Sequence, residues 1–246
     1  MLYTRSRTRA ISSSTFGRCV VALAVCTAAL LPLAAGAVGQ PLQQAKVVDL
    51  RGEQASTEVR QFADWALASG DASGLPFVII DKQDSRVFVF DADGHLRGSS
   101  PALVGAARGD DSVPGIGARP IASIRPEERT TPAGRFMAVM GRGPKGEDIL
   151  WVDYDNAIAL HRVVTHVPQE RRLQRLQSKL ASERRITYGC INVPVAFYES
   201  VVQPTFAGSR GIVYILPESK PLQDVFTAYG MRHDVSQAPG LATDLH

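Results

Sequence analysis

Six consecutive residues in the last quarter of the chain contain the side chain best suited to covalent chemistry. They are Thr187-Tyr188-Gly189-Cys190-Ile191-Asn192. A thiol is a strong nucleophile as its thiolate, and a nearby histidine can accept its proton. A glycine before the cysteine permits close backbone approach, and a backbone N–H there can bind a developing oxyanion. The pattern predicts Cys190 as a nucleophile; the alternative is a small, buried, apolar cysteine.

Two histidines upstream are candidate general bases for this thiol. His161 follows the apolar stretch 157–160, and the end of a strand holds an imidazole in place better than a loop does. His166 lies two residues before Pro168, in a stretch that predicts a loop. We therefore predict that His161 is the base, with His166 as the alternative.

Three separated stretches of the sequence resemble the catalytic domain of the L,D-transpeptidases, also called the YkuD domain. The family signature is a histidine, a spacer and then Ser/Thr-His-Gly-Cys-apolar-Asn or -Arg, which Thr187 and residues 189–192 match; Tyr188 replaces the second histidine. The run 131–136, Thr-Pro-Ala-Gly-Arg-Phe, resembles the family's Thr-Pro-x-Gly-x-Phe turn. The predicted hairpin 77–105 resembles the family's first strands. The resemblance covers about residues 76–217.

The sequence departs from the family pattern between the histidine and the cysteine. There are 25 residues between His161 and Thr187, and 20 between His166 and Thr187, and both numbers exceed the usual spacer. The segment 168–185 therefore resembles an insertion. Arg162 stands where the family has a glycine, and it is interpreted either as a ligand for a substrate carboxylate or as a surface residue.

The resemblance implies an acyltransferase that acts on peptidoglycan stem peptides. The Cys190 thiolate would attack the carbonyl of an L-centre, a D-amino acid would leave, and a thioester would remain. A second stem peptide, a lipoprotein lysine or a free D-amino acid would then accept the acyl group; with water the enzyme would be an L,D-carboxypeptidase. Neither a metal nor a cofactor is required. A catalytically inactive envelope-binding module is the alternative from another class of function.

The same resemblance assigns roles to the residues around the cysteine. His161 would be the base and then the acid, Thr187 would orient it, and N–H groups at Gly189 and Cys190 would bind the oxyanion. The predicted contacts of the substrate are Arg162, Tyr188, His166 and Asn192.

Two further interpretations of Cys190 remain open at this stage. A zinc site of His161, His166 and Cys190 would indicate a metallohydrolase or a structural site, although the histidine spacing and the lack of an accompanying carboxylate motif do not favour it. A cysteine peptidase or amidase of another fold would pair Cys190 with the downstream His233.

The net positive charge of the chain comes from its N-terminus. The 246 residues are 45% hydrophobic, and the formal net charge is +3. Residues 1–37 hold four arginines and no acid, and without them 23 basic residues face 24 acidic ones. The composition therefore predicts one globular domain, and it gives no reason to expect a nucleic-acid partner. We expect a monomer.

The first 37 residues predict a signal peptide. Basic residues between Arg5 and Arg18 precede the apolar run 20–33 and then the small residues 34–37. The alternative is an uncleaved membrane anchor. Cleavage would remove Cys19 and Cys26 and leave Cys190 as the sole cysteine of a protein in the periplasm or cell envelope.

The remaining chain predicts a mainly β fold, a sandwich or partly open barrel, with an N-terminal helix. Residues 38–75 form a linker and a helix capped by Ser56 or Thr57, with Val59, Phe62, Ala63, Ala66 and Leu67 on one face. The catalytic domain spans 76–217, and 218–246 is a polar tail that wraps the surface or is loose. Short strands are predicted at 77–80, 86–90, 102–105, 136–140, 149–152, 157–161 and 211–216, with an irregular insertion at 110–129.

The segment 168–185 predicts a helix beside the site. Leu173, Leu176 and Leu180 have helical spacing, and six basic against two acidic residues give a local charge of +4. A solvated helix face is one interpretation, and a basic lid over an anionic substrate is the other.

Overall fold

The computed structural model describes residues 46–230. The predicted signal peptide (1–37), with Cys19 and Cys26, lies outside the described residues, and so does His233. No helix in the described part is long and apolar enough to cross a membrane.

Ten strands form one large sheet and one small sheet. The large sheet has eight strands in the order β3-β2-β1-β10-β5-β6-β7-β9, and β4 pairs with β8 in the small one. A bridge between Leu103 and Asn192 joins the chain just after β3 to β9, so the two edges of the large sheet lie close together. The predicted mainly β fold is confirmed. The strands are β1 Phe77–Asp81, β2 Arg86–Phe90, β3 Leu96–Pro101, β4 Val104–Gly105, β5 Gly134–Arg142, β6 Asp148–Asp153, β7 Ile158–Arg162, β8 Arg185–Thr187, β9 Ile191–Val193 and β10 Arg210–Ile215.

Both faces of the large sheet are buried by short helical segments. On one face α1 (Thr57–Ala68) packs through Phe62 and Trp65, and the hydroxyl of Ser56 accepts the N–H of Val59 at its start. On the other face the continuous helical stretch of α3 (Val195–Phe197), a π-helical turn (Tyr198–Val202) and α4 (Gln203–Phe206) covers a second core. The helix and the cap that the sequence predicts are both present.

The described part of the tail is anchored to the domain. The carboxylate of Asp110 accepts the backbone N–H groups of Glu218, Ser219 and Lys220. After α5 (Leu222–Val225), Phe226 and Tyr229 are buried against α1. Residues 218–230 are therefore packed, although the polar sequence of the tail indicates a surface or loose segment.

The prediction of one continuous helix over 168–185 is wrong. A 3-10 turn (Pro168–Glu170), α2 (Arg172–Gln177) and a second 3-10 turn (Ala181–Arg184) follow one another. Arg171 adopts a left-handed φ of 50°, and Ser178 is extended, which ends the helix on both sides. Leu173 and Leu180 are 54% and 60% exposed, so Leu176 alone of the predicted stripe is buried.

The insertion 110–129 is irregular, as predicted. It contains three 3-10 turns, Ile116–Ala118, Ile121–Ser123 and Pro126–Glu128. The carboxylate of Glu128 holds them together because it accepts hydrogen bonds from both Arg119 and Arg125.

Candidate active site

Strand register brings the predicted base and nucleophile to one face of the sheet. Strands β7 and β9 pair in parallel, with His161 opposite Asn192 and Leu160 opposite Ile191. Leu160 and Ile191 point into the core beneath α3 and α4. Side chains alternate along a strand, so His161 and Asn192 lie on the opposite face, and Cys190, two residues before Asn192, precedes β9 on that same side.

A tight turn presents Cys190 at the start of β9. The hydroxyl of Thr187 donates to the Cys190 carbonyl at 2.7 Å and accepts the Gly189 N–H at 3.2 Å. Gly189 has a φ of 132°, and a Cβ there would lie 2.7 Å from the Thr130 carbonyl oxygen. Glycine is therefore required both by the backbone conformation and by the close approach.

The Thr-Pro-x-Gly-x-Phe run contacts this turn directly. The buried hydroxyl of Thr131 donates to the Gly189 carbonyl at 2.8 Å and accepts the Gly105 N–H at 2.8 Å. Two of the three stretches that carry the resemblance thus contact each other, and Thr131 of the first fixes the backbone of the second.

A buried ion pair holds the backbone of Thr131 in place. The ammonium of Lys82 donates to the Thr131 carbonyl at 2.9 Å and to the Asp110 carboxylate at 2.7 Å, and both of these charged side chains are fully buried. A third bond, of 2.6 Å, reaches the Gly109 carbonyl. Lysine is tolerated in this position because each of its three N–H groups has an acceptor.

The imidazole of His161 is held at both nitrogens. The Arg162 carbonyl accepts a hydrogen bond from Nδ1 at 2.7 Å, so Nδ1 carries the proton, and Nε2 accepts the Asn192 side-chain N–H at 3.1 Å. Burial lowers the pKa of His161, and the nearby charge of Arg172 lowers it further, while the hydrogen bond to the Arg162 carbonyl and the charge of Glu147 oppose the shift. The net shift favours the neutral imidazole.

The thiol of Cys190 is partly buried, and its Sγ lies 3.5 Å from the Ala157 carbonyl oxygen. Burial raises the pKa of this thiol, while the backbone near Ala159 and the charge of Arg172 partly offset the rise. Both pKa shifts favour the neutral forms, the thiol of Cys190 and the imidazole of His161.

Arg172 joins the insertion to the site. One terminal nitrogen of its guanidinium donates to Asn192 Oδ1 at 2.7 Å, and its Nε donates to the Glu170 carboxylate at 2.6 Å. A hydrogen-bonded chain therefore runs from Glu170 through Arg172 and Asn192 to His161. Two other arginines of the segment point elsewhere: Arg175 binds the carbonyls of Glu170 and Glu183, and Arg184 binds that of Asp84.

Of the predicted substrate contacts, Arg162 and Asn192 have partners within the protein. Arg162 follows His161 at the end of β7, where it pairs with Asp148 at 3.0 Å and Glu199 at 3.1 Å and stacks on Tyr198. It lines the same cavity as His161. A substrate carboxylate would have to compete with both acids. Asn192 is 1% exposed, and its amide joins Arg172 to His161.

Tyr188 contacts an arginine side chain, and His166 lines an open cavity. The guanidinium of Arg129 lies 4.1 Å above the centre of the half-buried Tyr188 ring. His166 and His161 line the same cavity of about 400 Å³, together with Lys145 and Glu147 of the β5–β6 loop. Contact of either side chain with substrate stays a prediction.

The hydrogen bonds revise one predicted role and favour one of the two groups predicted for another. The hydroxyl of Thr187 orients the cysteine turn, and the Arg162 carbonyl is the group that orients the histidine. The N–H of Gly189 is bound to Thr187, so among the two backbone groups predicted for the oxyanion Cys190 supplies the better candidate.

The alternative zinc site is not assembled. Among residues 46–230, the one group of three or more potential ligands whose donor atoms lie within 4.8 Å of one another is Asp91, Asp93 and His95, on the exposed turn between β2 and β3. His161, His166 and Cys190 do not form such a group.

Three residues that shape the site belong to no recognisable motif in the sequence. Lys82 and Gly105 both contact Thr131, which lies 49 and 26 residues further along the sequence, respectively. Arg172 reaches Asn192 because of where the insertion folds. The alternation of apolar residues in β7 and β9 is the one pattern that could have placed Asn192 beside His161.

No protein-family profile and no curated protein sequence matches the chain. Several solved structures align with part of the chain. A mutant form of the helical cell shape determining protein Pgp2 from Campylobacter jejuni aligns with a TM-score of 0.42 and 14% identity over 74% of this chain and 63% of its own. An L,D-transpeptidase from Mycobacterium smegmatis aligns with a TM-score of 0.30 and 16% identity over 57% and 58%. The catalytic domain of an L,D-transpeptidase from E. faecium aligns with a TM-score of 0.29 and 14% identity over 57% and 96%.

The chain spans less than two thirds of the length of the Pgp2 structure and of the M. smegmatis enzyme. The solved structures to which it is similar thus include L,D-transpeptidases.

Proposed function

We propose that this protein is a cysteine acyltransferase of the L,D-transpeptidase type that acts on peptidoglycan stem peptides. The observation that carries the proposal is the placement of Cys190 and His161 on one face of the paired strands β7 and β9. The nucleophile stands in a turn fixed by Thr187 and Thr131, and the base stands in a strand, so the backbone at both positions is held by hydrogen bonds.

In the first half of the reaction His161 Nε2 takes the proton of the Cys190 thiol, and the thiolate attacks the carbonyl carbon of an L-residue in the stem peptide. The N–H of Cys190 stabilises the oxyanion of the tetrahedral intermediate. When the intermediate collapses, the C–N bond breaks, His161 returns its proton to the departing D-amino acid, and a thioester remains on Sγ.

In the second half an amine from a second stem peptide, a lipoprotein or a free D-amino acid attacks the thioester. His161 accepts a proton from this amine as the new C–N bond forms, and Sγ leaves and recovers a proton. Attack by water through the same steps gives hydrolysis, that is, L,D-carboxypeptidase activity.

The proposed setting follows from the substrate class. Peptidoglycan lies outside the cytoplasmic membrane, so we propose export directed by residues 1–37 to the periplasm or cell envelope. The chemistry needs no metal and no cofactor, because the thiol, the imidazole and backbone N–H groups supply all proton transfers and charge stabilisation.

The experiment is to incubate purified peptidoglycan fragments with the protein and with its Cys190→Ser variant and to analyse the products by mass spectrometry. We expect loss of a terminal D-amino acid together with cross-linked or exchanged products, and none with Cys190→Ser. Binding of fragments without any change in mass would instead identify an inactive binding module. Equal turnover by both proteins would contradict the role of Cys190.

A further inference from the structure

The proposed reaction needs a free lone pair on His161, and the structure shows that lone pair in use. Nδ1 donates to the Arg162 carbonyl, so Nε2 is the one basic nitrogen of the neutral ring. Nε2 accepts the Asn192 amide N–H at 3.1 Å. The Cys190 thiol in turn lies against the Ala157 carbonyl. The nucleophile and the base are thus each engaged with another partner.

The orientation of Asn192 is dictated by Arg172. An amide can present either its oxygen or its nitrogen to a neighbour, but a guanidinium is always a donor. The 2.7 Å bond from Arg172 therefore requires Oδ1 on the Arg172 side and places the Nδ2 hydrogens on the His161 side. If His161 were protonated, the hydrogen on Nε2 would face the Nδ2 hydrogens of Asn192 and would have no acceptor there. The pair thus opposes protonation of the base as long as Arg172 holds Asn192.

Arg172 also faces a surface where a ligand can reach it. Together with Arg171, Thr165 and Leu173 it lines a cavity of about 340 Å³. Among the described residues its second terminal nitrogen makes no hydrogen bond, while Nε is bound to Glu170 and the other terminal nitrogen to Asn192. Two arginines beside apolar groups suit a carboxylate on a partly apolar peptide, because a guanidinium binds a carboxylate through two parallel bonds.

We propose that Arg172 is a positioning residue that couples binding of a peptide carboxylate to release of the catalytic base. A carboxylate in this cavity draws the guanidinium away from Asn192. Asn192 is then free to turn its amide, so that Oδ1 can accept a hydrogen from protonated Nε2, and His161 becomes able to take the Cys190 proton. This coupling rests on the proposed function, since it presupposes that His161 and Cys190 react together.

The test compares two synthetic donors, a stem tetrapeptide with a free C-terminal carboxylate and its C-terminal amide. The rate of acyl-enzyme formation is measured with each by intact-protein mass spectrometry. The wild-type protein should prefer the acid at least about 10-fold in kcat/KM, since the amide cannot form a charge-assisted pair with the guanidinium. Arg172→Met should reduce this ratio to near 1. Lys179→Met, which removes the same charge from an exposed position of the same segment, should leave the ratio unchanged.

The role of Asn192 separates the coupling from simple binding of the carboxylate. If Arg172 acts through Asn192, the Asn192→Ala variant keeps the acid preference in KM but loses it in the acylation rate at saturating donor, and Arg172→Met lowers that rate no further in this background. Asn192→Ser serves if the alanine variant does not fold by circular dichroism. An acid preference in the saturated acylation rate that persists in the folded Asn192 variant, or any acid preference that persists in Arg172→Met, overturns the inference. Absence of any acyl-enzyme on the wild-type protein is a different outcome, because it overturns the proposed function itself.

Discussion

At the scale of single residues, His161 and His166 compete for one role, and the structure separates their surroundings. His161 is fixed by the Arg162 carbonyl and Asn192, both within hydrogen-bonding distance. His166 is exposed at the rim of the cavity that it shares with His161. A base must keep its geometry relative to the sulfur, and only His161 is held on two sides.

We predict that His161→Ala slows acylation of Cys190 by about 10²–10⁴-fold, which is the usual contribution of general acid–base catalysis. His166→Ala should slow it far less. The measurement is the rate at which a β-lactam modifies Cys190 in each folded variant. A greater loss in His166→Ala than in His161→Ala would transfer the role of base.

The pH dependence of the reaction follows from the environment of His161. Burial lowers its pKa, so the imidazole stays neutral to a pH below its ordinary value of about 6.5. We expect the acid limb of kcat/KM for acylation to fall below that pH. The same shift acts on folding: the unfolded chain takes up this proton first, so the contribution of His161 to stability declines as the pH falls from about 6.5 through the lowered pKa. An acid limb above pH 7 would contradict a buried neutral base.

At the scale of elements, the cysteine turn depends on a glycine. Gly189 combines a φ of 132° with an approach of 2.7 Å between the position of a Cβ and two neighbouring atoms, the Thr130 oxygen and Ile158 Cδ1. Gly208 has a φ of 73° with nothing within 4 Å of the same position. The two glycines therefore share the strained backbone but differ in the available space.

We predict that Gly208→Ala lowers the free energy of unfolding by about 1 kcal/mol, which is the cost of the left-handed backbone alone. Gly189→Ala should cost at least about 2 kcal/mol more, because the turn must also move away from Thr130. It should also abolish acylation, whereas Gly208→Ala should retain it. Urea unfolding and β-lactam labelling measure the two effects. Similar losses in both variants would mean that the close approach at Gly189 has no energetic importance.

The elements also show where the sequence was informative. Strong apolar runs predicted β1, β2, β6, β7 and β10 to within a few residues, since such runs must be buried. Strand β3, with Arg97, Gly98 and Ser99, lacks an apolar signal and was missed. Strands β8 and β9 are three residues each, and tertiary pairing with β4 and β7 forms them. The leucine spacing in 168–185 was misleading, because Arg171 and Ser178 interrupt the helix.

At the scale of the whole molecule, one buried cluster links distant parts of the chain to the site. Lys82, the residue after β1, binds the carboxylate of Asp110, and Asp110 accepts hydrogen bonds from the backbone of 218–220. Lys82 also binds the carbonyl of Thr131, which in turn fixes Gly189. The first strand, the insertion, the anchored tail and the cysteine turn therefore share one set of contacts.

We predict that Lys82→Met destabilises the domain by about 3–5 kcal/mol, since it leaves the buried carboxylate of Asp110 without its cation. Lys145→Met, at an exposed loop position, should change stability by less than about 0.5 kcal/mol. Thermal or urea unfolding of both variants is the measurement. A stability loss below 1 kcal/mol in Lys82→Met would show that the cluster does not hold these segments together.

This cluster also shows what the sequence could not reveal. A lysine after an apolar strand is most often solvated, and only the folded chain shows that Lys82 is buried with three acceptors. The nucleophile and base could be proposed from local motifs. The residues that hold the nucleophile and the base in place lie tens of residues away in the sequence. Their contacts follow from packing, which no local pattern encodes.

The most direct test of the central claim is to trap the thioester. The protein is mixed with a stem tetrapeptide, quenched with acid, and examined by intact-protein and peptide mass spectrometry. We predict an adduct on Cys190 that raises the protein's mass by the mass of the tetrapeptide less the mass of the released D-amino acid. The adduct should be absent from Cys190→Ser, and the free D-amino acid should appear in equal amount. An unmodified wild-type protein, or an adduct on any other residue, would contradict the claim that Cys190 is the nucleophile of an acyl transfer.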